Sequence, residues 1–274
     1  MAWRNLYSNR AKDTKPKKGS LQQRSIREDS MRKPAALFVI ALALGAMILA
    51  PLAGARADGR EEGPFEIEKC QTIDKPGSYK LVNNLTLSAI PGTCLLITAD
   101  FVTIDLAGFT ITGPGIASPF GPGSVAIMAP FSSSGSPAGI AVRNGSISNF
   151  NVGVSLGDGS IVEGLRVSRC GQLGIGAAGI VRGNTVDGCD AGPSMGDGID
   201  ATGTVTGNTV TRTRLAGLGI GQGSTVIGNT SVNQTSEGPS FGMIVGCPSN
   251  VPDNTTNSTQ VQGDGCLTTN NVAP

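Results

Sequence analysis

From residue 152 onward, apolar and polar positions return in a fixed rhythm. A glycine between bulkier neighbours recurs as Val152-Gly153-Val154, Leu173-Gly174-Ile175, Asp197-Gly198-Ile199, Leu218-Gly219-Ile220 and Phe241-Gly242-Met243, with the glycines 21, 24, 21 and 23 residues apart. A second marker keeps phase with it: Val162, Val181, Val205 and Val226, each two residues before a glycine. Three residues after that glycine stand Val167, Val186, Val210 and then Ser231. Side chains alternate across a strand, so each series reads as a ladder on one face. With the first-marker glycine taken as outward, its neighbours point inward. These are Val152, Leu173, Asp197, Leu218 and Phe241 before it, and Val154, Ile175, Ile199, Ile220 and Met243 after it. Three short strands in about 21 residues, with no amphipathic helical pattern between them, predict an all-β solenoid of the parallel β-helix kind. Its coils stack like residue on like, because no single coil buries a core alone. A leucine-rich repeat would show its leucine spacing, and a propeller would need a period of roughly 40 or more.

The same reading extends upstream. Residues 94–111 alternate well enough to be strands and, with Gly77–Leu81, supply the first coils. Residues 112–138 turn Gly-, Pro- and Ser-rich, which predicts a long loop or irregular coil walling one side of a groove. After Cys247 the composition drifts to Asn, Thr, Ser and Gln, so the β-helix domain is expected over 58–246 and a loose cap or tail over 247–274. Asn184, Asn208 and Asn229 follow the second-marker glycine on consecutive coils. Asparagine tolerates the left-handed backbone of a tight turn, and its amide can bond the same amide one coil away.

Before residue 58 the chain is of another kind. Residues 1–30 are polar and basic, a disordered leader or a misassigned start with Met31 the true one. Residues 31–57 combine Met31-Arg32-Lys33, an apolar run over 35–52 and the small-residue end Ala55-Arg56-Ala57. These are the three parts of a secretory signal peptide. The chain would touch a membrane only if the 35–52 run stayed uncleaved, since it approaches the roughly 20 residues that span a bilayer. The first 57 residues hold 11 of the 21 Lys/Arg and 3 of the 20 Asp/Glu, which leaves 10 basic and 17 acidic side chains from Asp58 onward. That acidic surface has the wrong sign for nucleic acid, and it repels dense polyanions except where arginines cluster.

All six cysteines lie beyond the leader, an even number in an exported chain, which predicts a disulfide framework. Cys170 and Cys189 each lie six residues after a second-marker glycine, so they meet on adjacent coils. Cys70 with Cys94 and Cys247 with Cys266 are the remaining neighbours. With no histidine and no C-x-x-C pair, no metal site and no cofactor are predicted.

The stretch Val102-Thr103-Ile104-Asp105-Leu106-Ala107-Gly108-Phe109-Thr110-Ile111 and the Gly-Asn-Thr-Val coils after it resemble exported bacterial proteins with right-handed parallel β-helix repeats, in the pectate-lyase-like superfamily. The resemblance spans about residues 66–246 and implies the right-handed fold. It implies a carbohydrate connection by analogy only, because that superfamily holds lyases, hydrolases, epimerases and esterases together.

Against those enzymes the chain lacks the glycine-histidine-glycine motif of the polygalacturonase-like hydrolases and has no lysine after Lys80. The candidate catalytic side chains are Asp197 and Asp200, two carboxylates of the kind glycoside hydrolysis needs. Arg169 and Arg212 share a register two coils apart, with Gly188 between them, and could hold an anion. A bland reading stands beside each: Asp197 caps backbone N–H groups in a turn, and the arginines are solvated beside Asp187 and Asp190. Any ligand groove is expected along Ser155, Gly176, Asp200 and Gly221. The expected function is an exported β-helix presenting a rigid surface to polysaccharide or to an envelope partner. The alternative is a polysaccharide lyase or glycoside hydrolase using Asp197, Asp200 and an arginine.

Overall fold

A computed structural model describes residues 63–116, 123–130, 135–190, 196–232 and 241–274. The leader, the signal segment and the 35–52 run lie outside the described residues. In chain order the strands are β1 (Phe65–Ile67), β2 (Gln71–Ile73), β3 (Gly77–Leu81), β4 (Leu85–Thr86), β5 (Gly92–Ile97), β6 (Val102–Asp105), β7 (Thr110–Thr112), β8 (Ser124–Met128), β9 (Ala141–Arg182) and β10 (Thr185–Cys189). They continue as β11 (Asp197–Thr206), β12 (Thr209–Thr211), β13 (Ala216–Ile220), β14 (Thr225–Ile227), β15 (Thr230–Val232), β16 (Phe241–Gly246), β17 (Asn250–Pro252), β18 (Thr255–Thr256), β19 (Thr259–Gln262) and β20 (Leu267–Thr269).

Pairing is parallel throughout and joins each strand to its counterpart one coil on: β2 to β5 to β8, β3 to β6, β4 to β7, β13 to β16 to β19. This is the winding of a parallel β-helix with three faces. The first face holds β2, β5, β8, the start of β11, β13, β16 and β19. The second holds β1, β3, β6, the end of β11, β14, β17 and β20. The third holds β4, β7, β10, β12, β15 and β18. The long strand β9 runs through several coils and contributes to all three.

Inside, Val162, Val181, Val205 and Val226 are fully buried in one ladder. Val167, Val186, Val210 and Ser231 stack in another, with Thr256 continuing it. Between the second and third faces the chain turns through a left-handed residue: Asn144, Gly164, Gly183, Gly207, Gly228, Asp253 and Asn270. The left-handed position is therefore this residue, and the asparagine after it folds inward. Asn184, Asn208, Asn229, Asn254 and Asn271 form a ladder in which each amide Nδ2 donates to the Oδ1 of the next, at 2.9–3.1 Å. Each also donates to a carbonyl of the preceding coil, as Asn208 does to Val181. Buried amides are tolerable here because both ends are satisfied.

The structure corrects three expectations. First, the marker glycines face inward. A Cβ on Gly198 would meet Val210 Cγ1 at 2.3 Å and the Gly217 carbonyl oxygen at 2.6 Å. Two consecutive residues, the glycine and its successor, turn inward together, which breaks strict alternation. The ladder runs through Gly217 rather than Gly219, since Ile199 pairs with Leu218 and Asp200 with Gly219. Second, the 112–138 segment contains β8, whose Ala126 and Ile127 are buried and whose Val125 pairs with Val152. Third, the solenoid continues past Gly246 through β17, β18, β19 and β20. There Asn254 continues the asparagine ladder and Thr256 takes the inward position that Val186 and Val210 hold earlier, so an apolar search overlooks them.

Three disulfides join neighbouring coils: Cys70–Cys94, Cys170–Cys189 and Cys247–Cys266, with Cα separations of 4.4, 4.4 and 5.1 Å. Such a set belongs to an oxidising, extracytoplasmic environment.

Candidate functional site

With the interior given to valine, isoleucine and asparagine ladders, any chemistry must stand on the outer faces, and the three differ. On the first face, Val125, Val152, Leu173, Asp197 and Phe241 form a half-exposed, mostly apolar column. A second column there runs Met128, Ser155, Gly176, Asp200, Gly219 and Ile244. Asp197 is thus not buried in an inward ladder. Its carboxylate accepts the Ala216 N–H at 3.1 Å across coils, a capping role that serves the stack. Asp200 is exposed and lies over Gly219, where a Cβ would come 3.5 Å from its Oδ1. The residue beside Asp200 on the next coil is therefore Gly219, not Gly221.

The second face carries charge in alternation. Glu66, Lys80, Asp105 and Arg143 pair strand to strand on successive coils, and Glu163 and Arg182 follow. Arg143 bridges Asp105 at 3.4 Å and Arg182 bridges Glu163. Opposite charges directly across a sheet favour one register, although exposed pairs are worth about 0–1 kcal/mol each. Sequence reasoning missed this column because uneven coil lengths hide its period.

On the third face most outward side chains are hydroxyls, with Arg166, Asp187 and Val232 as exceptions. One row contains Thr110, Ser146, Thr185, Thr209, Thr230 and Thr255, with Arg166 in line. The parallel row contains Thr86, Thr112, Ser148, Ser168 and Thr211, with Asp187 in line. A Thr-x-Thr pattern, Thr110/Thr112 and Thr209/Thr211, marks it in the sequence, and it was legible there as the polar half of the alternation.

Arg169 and Arg212 sit at the corner between the third and first faces, both with left-handed backbone (φ 52° and 53°), and Gly188 lies between them. Arg212 is bound to Asp187 by a hydrogen bond of 2.7 Å from Nε and by an ion pair from Nη2. That guanidinium holds the Asp187 carboxyl below the ordinary carboxylate range, and Thr211 adds a hydrogen bond in the same direction. Arg214 pairs with Asp190 at 3.2 Å. Arg169 makes no ion pair among the described residues. The four candidates are split between the first face and that corner.

A depression in the surface lies at the corner between the second and third faces. It has a volume of about 380 Å³ and is lined by Gly108, Gly145, Gly164 and Gly183, with Asn144, Ser146, Arg166 and Thr185 among its other residues. Asp200 is not among its walls. No group of three or more His, Cys, Asp or Glu side chains placed to hold a metal ion occurs among the described residues.

Coils, register and interior ladders together define a parallel β-helix. The chain belongs to the right handed beta helix family, whose description matches residues 81–236. No curated protein sequence matches it. Among solved structures it is similar to the Dettilon tailspike protein, at 14% identity over 76% of this chain and 60% of that one, with a TM-score of 0.33. It is also similar to the A-module of the Azotobacter vinelandii mannuronan C-5 epimerase AlgE6, at 11% identity over 77% of this chain and 87% of that one, with a TM-score of 0.29. The chain thus spans 60% of the length of the tailspike it matches.

Proposed function

We propose that this is an exported β-helix protein that binds polysaccharide without transforming it, and that the third face is its binding surface. The observation that supports this is the double row of outward hydroxyls. Successive coils place like hydroxyls about 4.8 Å apart, and the two rows are roughly 6.7 Å apart along each strand. A hydroxyl donates one hydrogen bond and accepts two, which matches the mixed donor and acceptor character of sugar hydroxyls. The β-branched threonines hold their hydroxyls in few rotamers, so little side-chain freedom remains to be lost on binding. Catalysis is less well supported, because Asp197 is engaged with Ala216 and the arginines stand at another corner. In the same reading, residues 31–57 direct export and are removed.

Co-sedimentation of the domain from Asp58 onward with insoluble glycans, neutral and mixed, tests the proposal. Retention on at least one glycan is expected. It should be lost in the triple variant Thr185→Val, Thr209→Val, Thr230→Val, which keeps side-chain shape and removes the hydroxyls. Equal retention of the triple variant, or release of soluble sugar by the wild type, would overturn it.

A further inference from the structure

We infer that the second face is a docking surface for a second copy of this chain, whose solenoid lies antiparallel so that the two charge columns meet face to face. On six consecutive coils the outer column of this face carries charges whose sign alternates without a break. Glu66 pairs with Lys80, Lys80 with Asp105, and Asp105 with Arg143. The Ile161 N–H donates to the Ile140 carbonyl at 2.8 Å, which sets Glu163 beside Arg143, and Arg182 bridges Glu163 from the coil after. Opposite neighbours hold register within one chain. An even, alternating series is also its own complement when reversed end to end. A twofold axis along the strand direction, between the coils of Asp105 and Arg143, therefore sets Glu66 opposite the partner's Arg182, Lys80 opposite the partner's Glu163, and Asp105 opposite the partner's Arg143.

Charge decides the arrangement. Parallel solenoids, column on column in the same register, would oppose like charges at every coil, and a parallel pair slipped by one coil would leave the end charges unmatched. The antiparallel pair matches all of them and closes on itself, as homodimers ordinarily do. Charge also selects the face: acids outnumber bases 17 to 10 beyond the leader, which repels a second copy in general, whereas this column is neutral. The side chains can reach across. Those of Arg143 and Arg182 are 44% and 57% exposed, and their ion pairs use Nε of the first and Nε and Nη2 of the second, which leaves guanidinium donors for an acid opposite. Beside the charges runs an outward column in which Ala141, Ile161 and Ile180 are apolar, with Ile180 still 37% exposed, so covering it is favourable. Six coils by four strand residues make a patch of roughly 25 Å by 13 Å, below the about 800 Å² per partner of a standard interface, so the dimer is of the weak, reversible class. The third face stays uncovered in this arrangement, and pairing does not depend on the polysaccharide reading.

Sedimentation velocity of the protein tests this, in about 0.1 M salt, where a Debye length of about 10 Å screens the net repulsion and spares pairs in contact. From roughly 10 µM to 1 mM the wild type should pass from monomer to dimer. Two exchange variants keep the net charge and keep an acid beside a base within each exchanged pair: Glu66→Lys with Lys80→Glu, and Glu163→Arg with Arg182→Glu. Each sets like charges opposite one another at both ends of its own antiparallel dimer, and its dimerisation should weaken at least about tenfold. Mixed together, the two variants again oppose acid to base at every coil, and the mixture should dimerise to within about threefold of the wild type. Regained association requires both variants to be folded, and the neutral pair Glu163→Gln with Arg182→Gln, which reverses no charge, should weaken dimerisation as well. A wild type that stays monomeric over this range would overturn the inference. So would an exchange or neutral variant that dimerises as tightly as the wild type, or a mixture that does not regain what each exchange variant lost.

Discussion

Replacing Asn208 by alanine tests the physics of the stack where it is most concentrated. Asn208 is 1% exposed. Its Oδ1 accepts from the N–H and the Nδ2 of Asn184, both at 3.0 Å. Its Nδ2 donates to the Val181 carbonyl and to Asn229 Oδ1, both at 2.9 Å. Alanine removes all four bonds. Asn184 Nδ2 still reaches the Val162 carbonyl, and Asn229 Oδ1 still accepts the Asn208 N–H. The Asn184 N–H and the Val181 carbonyl are left without the side-chain partner. A buried backbone group so deprived costs roughly 1–3 kcal/mol, so the loss should total about 2–6 kcal/mol. For a domain of this size, that lowers the melting temperature by on the order of 10 °C. Asn208→Asp keeps the acceptor but sets an anionic oxygen against two other oxygens, and should destabilise at least as much at neutral pH. Thr209→Ala, one residue on and exposed, should change stability by less than about 0.5 kcal/mol. Melting followed by circular dichroism decides it: equal, small losses for Asn208→Ala and Thr209→Ala would show that the amide ladder does not hold the coils.

Three further outcomes follow from register and charge. Gly198→Ala should cost about 1–3 kcal/mol by overpacking against Val210 and the Gly217 carbonyl, whereas Gly219→Ala, with Asp200 as its nearest neighbour, should be tolerated; comparable denaturation midpoints would refute the inward glycine ladder. Val181→Asp should destabilise by several kcal/mol while Arg182→Asp loses only an exposed pair with Glu163, and a matched loss in melting temperature would put the register wrong by one residue. Arg212→Gln should bring the Asp187 carboxyl back up toward its ordinary value in a carboxyl-carbon NMR titration. In the wild type that depressed carboxyl contributes stability above its unfolded pKa, which is lost as pH falls through the lower folded value; an unchanged Asp187 titration in the variant would remove Arg212 as the cause.

The valine ladders were legible because β-branched residues at strand spacing leave a strong period-two signal, and the cysteines because they share the register of those valines. Gly153, Gly174 and Gly198 misled for a physical reason: without a side chain, a glycine shows no facing, and here the glycine and its successor both turn inward. Once Gly198 is taken as outward, Asp197 before it falls into an interior ladder that it does not occupy. The last coils were hidden by Asn254 and Thr256, polar residues made acceptable inside by hydrogen bonds along the stack. The pairing of Arg143 and Arg182 with acids on adjacent coils, and its absence at Arg166 and Arg169 among the described residues, could not be read from sequence, because uneven coil lengths hide which charges meet.

The most direct test of the binding account is a methyl NMR titration of the domain, labelled at threonine, leucine and isoleucine, with whichever glycan it retains. The account predicts that the methyls of Thr185, Thr209 and Thr230 on the third face shift together while those of Leu173 and Ile244 on the first face stay still. Shifts at Leu173 and Ile244 with silent threonines would place the ligand beside Asp200 and contradict it.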